Sequence, residues 1–190
     1  MQVRRVLALG AALFAVLTRP STAQSGYDTA GLETGRIAVR HVTFIDTTGE
    51  EIGTATLMQT SNGVLVQADL NMLPPGEHAF HFHETGACDW PSFESAGGHF
   101  SGKRSAHGFL TRQGPHAGDM PNVYVPGNGV LKVEEYNPNV SLVYGPSPLL
   151  DRDGSALVIH AQPDDYHSQP SGAAGNRIAC AVISRDSIED

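Results

Sequence analysis

The stretch VLVQADL, from Val64 to Leu70, carries an apolar side chain at every second position. The polar residues Gln67 and Asp69 fall between those positions. Successive side chains of a β-strand point to opposite faces, so this pattern predicts a strand with one buried face and one face in solvent.

Short segments of the same kind flank this strand and are separated by turn residues. Upstream lie Ile37–Ile45 and Thr54–Met58, with the turn Thr47–Glu50 between them. Apart from the N-terminus, no segment shows a convincing helical period, which favours an all-β, antiparallel sandwich or barrel. The later predicted strands are Glu77–Glu84, Gly129–Glu135, Ala156–Ala161 and Arg177–Ser184.

The first 23 residues have the organisation of a secretory signal peptide. Arg4 and Arg5 precede the apolar stretch Val6–Leu17, which is too short to span a bilayer. Ser21-Thr22-Ala23 then offers small residues for cleavage after Ala23. A buried N-terminal helix and a retained membrane anchor are the alternatives. The sequence predicts that residues 24–190 form one exported domain without stable membrane association. The periplasm is the predicted location, and secretion is the alternative.

Charge and cysteine content narrow the possible partners. The chain has 20 acidic and 12 basic residues, and removal of the leader takes away three arginines and no acid. Such an acidic chain repels nucleic acid, so nucleic-acid binding is excluded. The two cysteines, Cys88 and Cys180, are expected to form a disulfide in an oxidising compartment, with two free buried thiols as the alternative.

Two long segments without periodicity, Thr85–Pro121 and Gln162–Asn176, interrupt the strands. Loops of such length in a compact domain are usually functional or disordered. Histidine favours function, because six of the nine histidines lie in or beside these loops at spacings that suggest a shared site. They are His81, His83, His99, His107, His116 and His160.

The residue types in this group suit two metal ions. Strand periodicity puts the imidazoles of His81 and His83 on one face, where with His160 they supply nitrogen ligands of the kind that copper(II) prefers. Three further imidazoles and Asp119 suit a closed tetrahedral zinc site. If one histidine is shared, the ligand count closes for both ions.

Several motifs in the mature region resemble bacterial copper,zinc superoxide dismutases. The stretch GEHAFHFHE, Gly76–Glu84, is similar to one signature of that family, and GAAGNRIAC, Gly172–Cys180, is similar to the other. SAGGHF, Ser95–Phe100, and HAGD, His116–Asp119, fill the region between them. This resemblance implies a Greek-key β-sandwich or flattened barrel with two long functional loops.

The resemblance also implies one copper and one zinc ion per subunit. Asp164 would accept hydrogen bonds from His81 and His107, and Arg177 would orient a small anion beside the copper. Cys88 and Cys180 resemble the family's disulfide. Copper would be bound by His81, His83, His99 and His160, and zinc by His99, His107, His116 and Asp119, so that His99 bridges the ions.

The implied activity is the dismutation of superoxide by one-electron cycling of copper, with His99 passing a proton to the forming peroxide. Lys103 and Arg104 are candidates for guiding superoxide, or else solvated loop charges. Bacterial members of the family occur as monomers and as dimers, so a homodimer is one of two expectations. A copper carrier on the same fold and a zinc hydrolase are the rival functions. Arg177 argues against a copper carrier, which would not need it. Four protein ligands to zinc argue against a zinc hydrolase, which needs an open position on the metal.

Overall fold

The computed structural model describes residues 38–102 and 106–185. The predicted leader, and Lys103 and Arg104, lie outside these residues. The described chain forms nine strands and one short 3₁₀ helix, Glu94–Ala96. The strands are β1 Val39–Asp46, β2 Glu51–Thr60, β3 Gly63–Leu70, β4 Gly76–His78, β5 Phe80–His83, β6 Val123–Val125, β7 Leu131–Asn137, β8 Ser155–His160 and β9 Arg177–Ile183.

Seven of these strands form one antiparallel sheet in the order β5-β8-β9-β1-β2-β3-β7. Strands β4 and β6 form a separate antiparallel pair. The hairpins β1-β2 and β2-β3 are sequential, whereas β9 returns over a long connection to lie beside β1. This order is the Greek-key arrangement, and the all-β prediction is confirmed.

The core lies on the inner face of the curled sheet. In β3, Val64, Val66, Ala68 and Leu70 are buried and belong to the main apolar cluster, as their alternation predicts. On β5, Phe80 and Phe82 are fully buried in the same cluster. His81 and His83 therefore point away from the core. The metal-ligand candidates consequently lie on the outer side of the β5-β8 edge.

The predicted strand Glu77–Glu84 is two strands. Residues up to His78 pair with β6, whereas β5 pairs with β8. The change of partner occurs at Ala79, whose N–H donates to Gln162 and whose carbonyl accepts from His160. The alternation of side chains continues through this change of partner strand, so the sequence pattern does not reveal it. Strand β6, with only three residues, was not predicted either.

A second apolar cluster covers the outer side of β8 and β9. Phe93, Ala96, Ala156, Val158 and Cys180 are all fully buried in it. The disulfide between Cys88 and Cys180 closes it, with a Cα–Cα distance of 5.8 Å and a separation of 92 residues. The disulfide prediction is confirmed. Among the described residues, no helix has the length and hydropathy needed to cross a membrane.

Candidate metal centre

Backbone pairing brings the loop histidines to β5. Phe100 N donates to the Phe82 carbonyl at 2.8 Å, and Phe82 N donates to the Gly118 carbonyl at 3.0 Å. As a result His83 lies opposite His99, and His81 lies opposite Asp119, as isolated bridges. The first long loop is thus attached to β5 at Phe82, between the two histidines.

Two groups of four donor residues result, and they share His99. Within each group the candidate ligand atoms all lie within 4.8 Å of one another. All seven residues are buried. The first group is His81, His83, His99 and His160, and the second is His99, His107, His116 and Asp119.

In the first group, backbone carbonyls fix two of the rings. His83 Nδ1 donates to Gly97 O at 3.0 Å, and His160 Nδ1 donates to Gly175 O at 3.2 Å. In neutral imidazoles this leaves both Nε2 atoms with bare lone pairs. These two atoms face each other at 3.2 Å. Such an approach is repulsive unless a cation converts both nitrogens into ligands.

Two further nitrogens of this group, His81 Nδ1 and His99 Nε2, are buried and have no hydrogen-bond partner within the described residues. Buried polar atoms without partners are rare and costly. Four imidazole nitrogens that converge without a proton donor are the donor set expected for copper. The residues present therefore fit that ion.

The second group surrounds one carboxylate oxygen. Asp119 Oδ1 lies 3.0 Å from His99 Nδ1 and 3.1 Å from His107 Nδ1. His116 Nδ1 lies 3.5 Å from it and finds no hydrogen-bond partner in the part of the chain that the structure describes. Asp119 Oδ2 accepts from the N–H groups of Gly108 and His116, both at 2.9 Å. Three imidazoles and a fixed carboxylate fit zinc.

Asp164 connects the two groups. Its Oδ2 accepts from His81 Nε2, and its Oδ1 accepts from His107 Nε2, both at 2.9 Å. Because Nε2 of both rings donates its hydrogen bond to this carboxylate, Nδ1 of each ring is left to face the two groups of candidate ligands. Gly172 covers this contact with φ +68°, and a Cβ there would come within 1.8 Å of Asp164 Oδ1. Only glycine fits at this position.

Burial and neighbouring charges set the protonation of these rings. Burial lowers the pKa of His99 to about 4 and that of His160 to about 3. Burial, with the charges of His99 and His160, also lowers the pKa of His83 well below its usual value. All three are therefore neutral at pH 7, as metal ligands must be. Burial opposes charge on His107 too, but Asp119 and Asp164 raise its pKa to about 9.

Arg177, the first residue of β9, lies beside the first group. Its Nη1 donates to the Phe93 carbonyl and its Nη2 to the Gly97 carbonyl, at either end of the 3₁₀ helix. Gly97 O also accepts from His83. The guanidinium forms part of the wall of a groove of about 620 Å³, together with Glu94 and Asn176. The Arg177 side chain, predicted from the sequence to bind an anion, is thus fixed relative to His83 of the first group.

Sequence reasoning missed two amides that support the site. Asn122 hydrogen-bonds the backbone of Asp164, and Gln169 hydrogen-bonds the backbone of His107. Nothing in their local sequence distinguishes them from ordinary loop residues. Only the proximity of the two long loops reveals their role.

The fold and site define a metalloprotein with two adjacent histidine-rich sites on a Greek-key β-structure. A family model described as copper/zinc superoxide dismutase (SODC) matches residues 51–183. The chain belongs to the copper/zinc superoxide dismutase family. The activity of this family is the dismutation of superoxide, an oxidoreductase reaction that uses copper and zinc.

Individual relatives support this family membership. A copper-zinc superoxide dismutase of Aquifex aeolicus is 49% identical over 145 residues, which is 75% of this chain and 86% of the relative. One from Caulobacter vibrioides is 44% identical over 71% and 79% of the two chains. The crystal structure of a superoxide dismutase-like protein from Bacillus subtilis has a TM-score of 0.74 at 38% identity, and the match covers 78% of this chain and 99% of that one.

Proposed function

We propose that residues 24–190 are the mature superoxide dismutase domain, with copper bound by the first group and zinc by the second. Copper would be held by His81, His83, His99 and His160, and zinc by His99, His107, His116 and Asp119. The observation that carries this assignment is that both groups contain buried ring nitrogens with no hydrogen-bond partner among the described residues. His99 belongs to both, with Nδ1 facing the zinc group and Nε2 facing the copper group.

When bound, copper supplies the one-electron oxidation of one superoxide and the one-electron reduction of a second, while zinc has no redox role. In sum, two superoxide ions and two protons give one dioxygen and one hydrogen peroxide. His99 Nε2 carries one of these protons, because it is the ring nitrogen that faces the copper group. Nδ1 of the same ring lies 3.0 Å from Asp119 Oδ1, in the zinc group, so the imidazole would stay attached on that side while a proton comes and goes at Nε2.

Arg177 captures the substrate. Each terminal guanidinium nitrogen uses an N–H to bind a backbone carbonyl and carries a second N–H. Because the guanidinium is fixed, that second donor pair meets an incoming anion at a defined place. A local positive charge of this kind raises the encounter rate in a chain that is acidic overall.

The decisive experiment is superoxide decay by stopped flow on the mature protein loaded with copper and zinc. Arg177→Ala is expected to lower kcat/KM by about tenfold or more at equal metal content. Arg152→Ala, which removes an exposed arginine from another loop, is the matched control and should leave the rate unchanged. Loss of rate in both variants would contradict the role of Arg177. No turnover above free copper, despite full loading, would assign the chain to copper transport instead.

Export and oligomeric state belong to the same proposal. We place the protein in the periplasm, with secretion as the alternative, after removal of residues 1–23. N-terminal sequencing of the protein recovered from the periplasmic fraction is expected to begin at Gln24. Recovery of an intact N-terminus from the cytoplasm would contradict export. Sedimentation equilibrium on that material distinguishes the homodimer from the monomer.

A further inference from the structure

Asn122 binds the backbone of Asp164 at two points. Its Oδ1 accepts from Asp164 N at 2.8 Å, and its Nδ2 donates to Asp164 O at 2.9 Å. The backbone N–H of Asn122 donates in turn to the hydroxyl oxygen of Tyr166 at 2.8 Å. Tyr166 N donates to Asp164 Oδ1. The residue that holds His81 and His107 is therefore itself held through its main chain.

Gln169 binds the backbone of His107 in the same way. Its Oε1 accepts from His107 N at 2.9 Å, and its Nε2 donates to His107 O at 2.9 Å. The two side-chain amides thus make equivalent pairs of bonds, one to the bridging carboxylate residue and one to a zinc-group histidine.

The two amide side chains connect the loops in opposite directions. Asn122 directly follows the first loop and hydrogen-bonds the second, whereas Gln169 belongs to the second loop and hydrogen-bonds the first. Their partners, His107 and Asp164, are also bonded to each other, because His107 Nε2 donates to Asp164 Oδ1 at 2.9 Å. A continuous series of hydrogen bonds therefore joins Asn122, Asp164, His107 and Gln169.

Backbone chemistry explains why amides occupy these two positions. His107 is fully buried and Asp164 is 3% exposed. A buried N–H and carbonyl each need a partner, yet neither residue belongs to a strand. Asparagine and glutamine carry a donor and an acceptor side by side. They can therefore supply both hydrogen bonds that a neighbouring strand would make to the same residue. A carboxylate, which has no donor, cannot do this.

We propose that Asn122 and Gln169 are positioning residues that set the orientation of His107 and Asp164, and through them the zinc affinity of the site. This inference deepens the proposed function and rests on its ligand assignment. Asn122 acts on the carboxylate that also holds His81, so its loss reaches the copper group as well. Gln169 bonds His107 directly but not Asp164, and it is more exposed than Asn122, so its effect is smaller and falls mainly on zinc.

The test measures zinc affinity by competition with a chelator, and the visible spectrum of the protein with cobalt(II) in place of zinc. Asn122→Ala is expected to weaken zinc binding by about tenfold, the lower end of the effect of groups that orient ligands, and to change the cobalt spectrum. Gln169→Ala should do the same to a smaller extent. Asn128→Ala is the matched control, since among residues 38–102 and 106–185 the side chain of this exposed asparagine accepts a hydrogen bond from Val130 N alone.

Two further variants separate positioning from folding. Asn122→Asp keeps the shape and the acceptor but loses the donor to Asp164 O, so it should fold and still bind zinc more weakly than the wild type. In the double variant Asn122→Ala with Asp164→Asn, the two losses should be less than additive, because one residue acts through the other.

The outcomes are distinct. Wild-type zinc affinity and cobalt spectrum in Asn122→Ala, Asn122→Asp and Gln169→Ala would overturn the inference. So would additive losses in the double variant, or an equal loss in Asn128→Ala. If the wild-type protein itself binds no zinc, the proposed function fails instead. If Asn122→Ala does not fold, Asn122→Asp and Gln169→Ala decide the matter.

Discussion

The two donor groups differ in the charge that they contain. The copper group consists of four imidazoles and has no acid of its own, whereas the zinc group has Asp119 at its centre. Asp119 is anchored by two backbone N–H groups and collects three imidazoles around one oxygen. The copper-group rings are instead oriented from behind, by Gly97 O, Gly175 O and Asp164. One site is therefore organised from its centre and the other from its periphery.

This difference bears on metal choice. Oxygen and nitrogen ligands in a closed tetrahedral set are typical of zinc, whereas a set made of imidazoles alone suits copper. The surroundings of the two groups differ as well. Asp119 of the zinc group is held by backbone N–H groups, whereas Arg177 donates to the same Gly97 carbonyl as His83 of the copper group.

The largest expected effect comes from Asp119→Asn, which removes the central charge of the zinc group. Zinc affinity should fall by more than the roughly 100-fold seen for groups that only orient ligands. Copper affinity should fall by less than about tenfold, because three of the four copper-group rings, His81, His83 and His160, are held by other residues. Chelator competition for each metal separately measures both values. Equal losses for the two metals would show that the copper group also depends on Asp119.

A smaller effect on both metals is expected from Asp164→Asn. The replacement keeps the shape, but its amide nitrogen cannot accept a hydrogen bond. It therefore cannot accept from both His81 and His107, and at least one ring loses its orientation. The affinities for copper and zinc are expected to fall by about 10- to 100-fold. The same competition assay applies. If only one metal is affected, Asp164 serves one group and does not join the two.

The smallest effect is expected from Asp69→Asn on the solvent face of β3. Asp69 pairs with Lys132 there, and both side chains are largely exposed. Exposed ion pairs contribute about 0–1 kcal/mol, so the free energy of unfolding should change by no more than that. Urea denaturation measures the stability, and metal affinity should equal that of the wild type. A change in metal affinity would mean that losing any acid alters the sites, which would remove the contrast between Asp119 and surface carboxylates.

The sequence predicts the parts of this molecule whose signal is local. The alternation in Val64–Leu70 and in the His81-Phe82-His83 triplet predicts which side chains face the core, and the structure agrees. The change of strand at Ala79 escapes prediction, because the period of two continues while the hydrogen-bond partner changes. Strand β6 is too short to show a period.

The supporting residues of the site escape prediction for a related reason. Asn122 lies 42 positions from Asp164, and Gln169 lies 62 positions from His107. Their bonds depend on how two irregular loops meet, and neither loop carries a repeating pattern. The loops show that a site exists, through their histidines, but not how their backbones are held.

The disulfide also determines what a protease could do to this protein. The covalent loop between Cys88 and Cys180 contains Asn122, Gln169, Arg177 and most of the candidate ligands. His81 and His83 lie just before it. A single cut anywhere between the two cysteines leaves both fragments attached through sulfur. One nick in an exposed loop between the cysteines would therefore leave two fragments that carry the candidate ligands and cannot separate.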